Sequence, residues 1–95
     1  MHQEELNKMS LKDKIKTDLL DAKKKADRPL VTVLKLMWSE IGYLTVDNKD
    51  GDKDVLAMLK KEARKRKDAV EIYKKAGDEN RAESESYELK VIKGY

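Results

Sequence analysis

Four glycines and one proline are the main turn-formers in this chain, and an all-β fold needs many sharp turns. Helices need few. Apolar residues agree, recurring three and four positions apart instead of alternately. The pattern therefore specifies an all-α fold: a four-helix domain with a long antiparallel helix 3–helix 4 hairpin. With 43% of residues charged and 39% hydrophobic, each helix can bury one stripe and must leave its outer face wet.

Ser10-Leu11-Lys12-Asp13 fits a capping box, with a hydroxyl ready to accept from the first-turn amides. Behind it Leu11, Ile15, Leu19, Ala22 and Ala26 share one face, so helix 1 is expected over 11–26. Asp27-Arg28-Pro29 then reads as an N-cap followed by a first-turn proline. Helix 2 follows over 29–44, with Leu30, Val33, Leu34, Met37, Ile41 and Leu44 as its stripe. Val31, Leu36, Trp38 and Tyr43 lie off that stripe, and a helix apolar around most of its circumference is usually a central one. The Val31-Thr32-Val33 run leaves a strand as the lesser alternative.

The loop at 46–53 carries Asp47, Asn48, Asp50, Gly51 and Asp52. With Gly51 as the central glycine, the calcium-ligand positions would fall on Val46 and Ala57, so the register fails. A polar turn whose Asp52 or Asp54 caps the next helix fits better. Helix 3 is expected over 54–76, ending at Gly77, and helix 4 over 80–95; the short turn between them makes the hairpin.

Ninety-five residues make one domain near the lower limit for a self-sufficient core. Met1–Ser10 has two glutamates and no apolar stretch, so it reads as a disordered leader, not a signal peptide, before a folded domain over 11–95. The chain has no cysteine, which excludes disulfides, thiolate zinc sites and cysteine nucleophiles. No apolar run approaches the ~18 residues of a membrane span, so a cytoplasmic protein with no membrane partner is the default.

Catalysis has little to build on. His2, in the leader, is the only histidine, so Ser10, Ser39, Ser84 and Ser86 have no folded histidine to act as their base. No glycine loop could cradle a phosphate, and no metal or cofactor is implied. An enzyme is not expected.

Helix 3 is the informative segment. Val55, Leu56, Leu59, Ala63, Val70 and Tyr73 share a face, and Arg66 falls in its middle. A bare guanidinium there would cost several kcal/mol, so it needs an acid, an edge or an external anion. Helix 4 supplies acids: Glu85 lies within its Ala82, Leu89, Ile92 stripe and Glu88 flanks it. Arg66, Glu85 and Glu88 are thus structural ion-pair candidates, with a Tyr73–Glu85 hydrogen bond as another option. Elsewhere on helix 3, Lys60, Lys61, Arg64, Lys67, Lys74 and Lys75 form a basic stripe. It is either a solvated face laced by Arg64–Asp68, Lys67–Glu71 and Glu71–Lys75 pairs or a surface that tracks backbone phosphates. Lys12, Lys16, Lys23 and Lys24 could add contacts, while Trp38 reads as core.

The ordered series Lys65-Arg66-Lys67-Asp68, Tyr73-Lys74-Lys75-Ala76-Gly77-Asp78 and Ala82-Glu83-Ser84-Glu85-Ser86-Tyr87-Glu88-Leu89, continuing to Tyr95, resembles the YqeY family. Val31-Thr32-Val33-Leu34-Lys35-Leu36-Met37 resembles that family's second helix. Leu30 and Lys35 stand where the family often has arginine, which weakens any anion site on helix 2. Family members usually continue past this tyrosine with a smaller helical domain, so the chain corresponds to the N-terminal helical domain. The resemblance extends to the tRNA-contacting tail domain of GatB, a subunit of a glutamine-dependent tRNA amidotransferase. It implies a link to that chemistry without catalysis by this domain. It also makes Lys65, Arg66 and Lys67 the family's basic motif, adding Lys65 to the nucleic-acid candidates, and Glu85 and Glu88 its acidic one.

The function expected from all this is a tRNA-binding accessory module linked to tRNA-dependent amidotransferase systems and not itself catalytic. The alternative is a scaffold domain that docks on an amidotransferase or aminoacyl-tRNA synthetase. An amidotransferase activity of its own comes last.

Overall fold

A computed structural model of the chain describes residues 9–95; His2 and most of the expected leader lie outside them. The described residues form four α-helices and no strand: α1, Leu11–Lys24; α2, Arg28–Val46; α3, Asp52–Lys75; and α4, Glu79–Lys93. Val31–Val33 is helical, which settles the strand alternative. Two compact units divide the chain, Met1–Leu56 and Ala57–Tyr95.

In the first unit α1 packs on α2. Ser10 caps α1, its hydroxyl accepting from the Asp13 amide at 3.0 Å, and Asp27 caps α2, accepting from Leu30 at 3.3 Å. The buried side chains fall within the stripes the periodicity gives, Ile15, Leu19 and Ala22 from α1 with Val33, Leu34, Met37 and Ile41 from α2, while Leu11, Leu30 and Leu44 are half-buried and Ala26 is exposed. Val55, in the first turn of α3, is also buried. The off-stripe apolar residues of α2 differ from expectation. Leu36 and Tyr43 are exposed and Trp38 is half-buried, so the apolar circumference of this helix is not fully covered.

The acidic loop turns toward α1. Asp52 Oδ1 accepts from the Leu11 amide at 2.9 Å, and Asp50 Oδ2 lies 2.7 Å from Lys12 Nζ. Thr45 Oγ1 accepts from the same ammonium at 3.1 Å. Asp52 therefore satisfies a first-turn amide of a helix distant in sequence, a role that local cap rules do not reveal. The Lys12 hydrogen bond holds the Asp50 carboxyl below the usual carboxylate range. Lys12 is thereby engaged within the fold, which removes it from the lysines that could add phosphate contacts.

Three helices end in the same way. After α1, Ala26 adopts φ +53°, its amide donates to the Lys23 carbonyl, and Asp27 donates to Ala22. Asn48 after α2 and Gly77 after α3 repeat the pattern, with φ of +58° and +74°. These are Schellman ends, whose left-handed residue favours glycine. Helix α1 stops two residues before its expected end because Ala26 takes that position. Alanine pays a steric cost in this conformation that glycine avoids. Ala26→Gly is therefore expected to raise stability by about 0.5–1 kcal/mol, and Gly77→Ala to lower it by about 1 kcal/mol. Urea denaturation of the two variants should give shifts of opposite sign; a loss at both sites would contradict the assignment.

In the second unit α3 and α4 form the antiparallel hairpin around the Gly77 turn, and Asp78 caps α4 by accepting from the Arg81 amide at 3.1 Å. Leu59, Ala82 and Ile92 are its buried apolar side chains, and they share the interior with a charged residue, Glu62.

Candidate nucleic-acid interface

The hairpin sorts its charges by face. On the inner side of α3, Arg66 reaches three carboxylates: Nη2 lies 3.5 Å from Glu62, Nη1 3.4 Å from Glu85, and Nε 3.2 Å from Glu88. Glu85 and Glu88 come from facing turns of α4, and both candidates named from sequence meet the same guanidinium. Glu62 was not among the candidates. It is the buried member, only 7% exposed, and it also takes Lys65 at 3.6 Å. Its signal was present: it stands four residues before Arg66 and falls on the same face as Val55 and Leu59. A face traced through apolar residues alone steps over it.

The Nε of Arg66 and the Oε2 of Glu88 are both enclosed, and they approach closely without hydrogen-bond alignment. Their attraction is therefore coulombic. Burial raises the Glu88 pKa above its ordinary value, and the neighbouring Glu85 charge pushes in the same direction against the opposing pull of Arg66. Tyr73 does not bond Glu85. Its ring instead receives the Arg81 guanidinium, 5.7 Å from the centroid, and Arg81 also pairs with Asp78 at 3.4 Å.

The outer side of α3 differs in kind. Lys60, Lys61, Arg64, Lys67, Lys74 and Lys75 are all exposed, as is Lys65. At 100° per residue they centre roughly opposite the inward line of Val55, Leu59, Glu62 and Arg66. None of the i,i+4 pairs Arg64–Asp68, Lys67–Glu71 and Glu71–Lys75 closes among the described residues. Apart from Lys65, the stripe is therefore free of internal partners. From Lys60 to Lys75 it runs about 22 Å along the helix. Trp38 is half-buried on α2.

A family model described as Yqey-like protein matches residues 12–95, nearly the whole described chain. The chain belongs to the YqeY-like family. An uncharacterised protein of Schizosaccharomyces pombe is 35% identical over 83 residues, covering 85% of this chain and 68% of the relative. The match spans the hairpin with its Arg66 cluster and outer stripe, so both belong to the YqeY-like portion of the chain. Among the described residues no helix is long and apolar enough to cross a membrane.

Proposed function

We propose that this YqeY-like chain is a tRNA-binding accessory module of tRNA-dependent amidotransferase systems, carbon–nitrogen ligases with glutamine as amido-N-donor, and is not itself catalytic. The observation that carries the reading is the line of unpaired cations on the outer face of α3, set apart from Arg66 on the inner face, which is engaged by three carboxylates. Cations strung along a helix neutralise successive phosphates and release their counterions. Lys60, Lys61, Arg64, Lys67, Lys74 and Lys75 would act in that role, with Lys65 beside them.

A salt-titrated gel shift with total tRNA tests it. If six phosphates are neutralised, log K should fall against log salt with a slope of about −4 to −5. Reversing charge at Arg64 and Lys67 together should weaken binding about tenfold or more at moderate salt and flatten that slope. Binding unchanged by the double reversal would remove this surface from the assignment.

The exposed apolar side chains of α2 favour a second reading. Leu36 and Tyr43 keep 44% and 71% of their exposure, and side chains of this kind mark protein contacts when they cluster. A scaffold that docks on an amidotransferase or synthetase would retain its protein partner after nuclease treatment, whereas a purely tRNA-mediated association would not survive it.

A further inference from the structure

A second basic feature lies in the first unit, where α1 hands over to α2. The left-handed Ala26 turns the chain back on itself, bringing Lys23 of the last turn of α1 beside the first two turns of α2. There Arg28, Val31, Thr32 and Lys35 occupy positions i, i+3, i+4 and i+7, which share one face of the helix. That face is turned away from the buried stripe of Val33, Leu34, Met37 and Ile41. Together with Lys23 and Ala26 these four line an open recess of about 400 Å³.

The lining has a definite chemistry. Three cations surround it and no carboxylate does. None of the three is ion-paired with another described residue. The nearest acid in sequence, Asp27, accepts from the Leu30 amide through Oδ1 and does not line the recess. The Thr32 hydroxyl donates inward to the Arg28 carbonyl at 3.0 Å, so it has no proton to offer an anion. Recognition of charge falls to Lys23, Arg28 and Lys35. Ala26, Val31 and the Thr32 methyl supply an apolar floor. Lys35 alone would be a weak anion group, and it is the fold that adds Lys23 and Arg28 to it.

We propose that this recess binds a phosphate monoester carried on a small organic body, of the nucleoside monophosphate class. The phosphate lies among Lys23, Arg28 and Lys35, and the body rests on Val31 and Ala26. The recess is open to solvent, so a ligand there is held by the three cations more than by enclosure. Cations gathered round one recess suit a single compact dianion, whereas the α3 cations are strung in a line as a polymer backbone requires. A planar base can stack on the Arg28 guanidinium, but no side chain reads base edges, so the site discriminates little between bases. This site is independent of the tRNA reading.

The test is a titration of the isotope-labelled full chain by amide NMR, using AMP, GMP, adenosine and inorganic phosphate. AMP should shift amides over residues 23–35 with a Kd of order 1 mM or tighter, and GMP should match it closely. Adenosine should bind at least about tenfold more weakly. Arg28→Gln and Lys35→Gln should each weaken AMP about fivefold, while circular dichroism shows the exposed sites leave the fold intact. The Arg64, Lys67 double reversal should leave AMP binding unchanged, which separates this site from the α3 surface. A short RNA that binds here only when 5′-phosphorylated would identify a chain end as the source of the same monoester. Shifts that are absent, scattered over the surface, equal for adenosine, or indifferent to the 5′ phosphate would overturn the proposal.

Discussion

Replacing Arg66 with alanine is expected to destabilise the protein by about 2–4 kcal/mol, mainly by stranding Glu62, Glu85 and Glu88 together. Breaking a fully buried pair typically costs 3–5 kcal/mol. The range here is lower because the Arg66 side chain keeps 23% of its exposure and water reaches part of the cluster. In such a chain that is a large fraction of a total stability of roughly 5–14 kcal/mol. The loss should depend on pH in a known direction. The Glu88 pKa is already raised, so its protonation favours the fold as pH falls through the folded-state value, and that benefit is lost as pH rises through it. Without Arg66 the opposing pull is gone and the effect grows. The gap between wild type and Arg66→Ala should therefore be widest near pH 7 and narrow toward pH 4. Urea denaturation at both pH values measures it. Asp50 works in the opposite sense, since its lowered pKa gives stability that is lost as pH falls, but it contributes equally to both proteins and cancels in the difference. A cost below 1 kcal/mol at pH 7 would mean that the carboxylates relax into solvent without their partner. A control separates the cause: Arg66→Met combined with glutamine at Glu62, Glu85 and Glu88 removes the stranded charge and should recover most of the loss.

The Arg66 cluster also shows where sequence reasoning works and where it stops. A guanidinium in the middle of an apolar face demands a partner, and the hairpin places helix 4 acids within reach; both steps follow from periodicity. Glu62 was missed because an apolar stripe is traced through apolar residues, although a buried acid at i−4 is equally part of that face. The helix stripes of the first unit, the Ser10 and Asp27 caps and the Gly77 end were legible because each depends on neighbours within a few residues. The Asp52–Leu11 and Lys12–Asp50 contacts were not, because they join residues 41 and 38 positions apart, and only the packed fold brings them together. Ala26 illustrates a subtler limit. Alanine is the strongest helix former, so local propensity extends α1 through it, yet the Schellman hydrogen bonds and the Asp27 cap end the helix two residues earlier. The recess beside that turn is lined from both α1 and α2, which is why it could not be read from the spacing of lysines along either helix.

Leu34→Ala should be the costliest apolar truncation, at about 3–4 kcal/mol. Leu34 is fully buried, and its unit holds most of the buried apolar side chains found among the described residues: Ile15, Leu19, Ala22, Val33, Leu34, Met37, Ile41 and Val55. With so few side chains in the stripe, each carries a large share, and helices held at both ends by caps and by the Asp52–Leu11 bond have little freedom to collapse into the space left behind. The cost then includes a cavity as well as lost burial. The resulting fall in Tm should be roughly 12–30 °C for a domain of this size. Leu36 supplies the contrast. It is the same residue type two positions along the same helix, but it is exposed, so Leu36→Ala should cost less than about 0.5 kcal/mol. Denaturation midpoints for the pair isolate burial from helix propensity, because both variants exchange leucine for alanine in the interior of α2. A similar loss at both positions would show that the α2 face bearing Leu36 is covered in solution, which would favour the scaffold reading over a tRNA-only role. A large loss at Leu34 alone would leave that face open and keep the outer cations of α3 as the principal candidate surface.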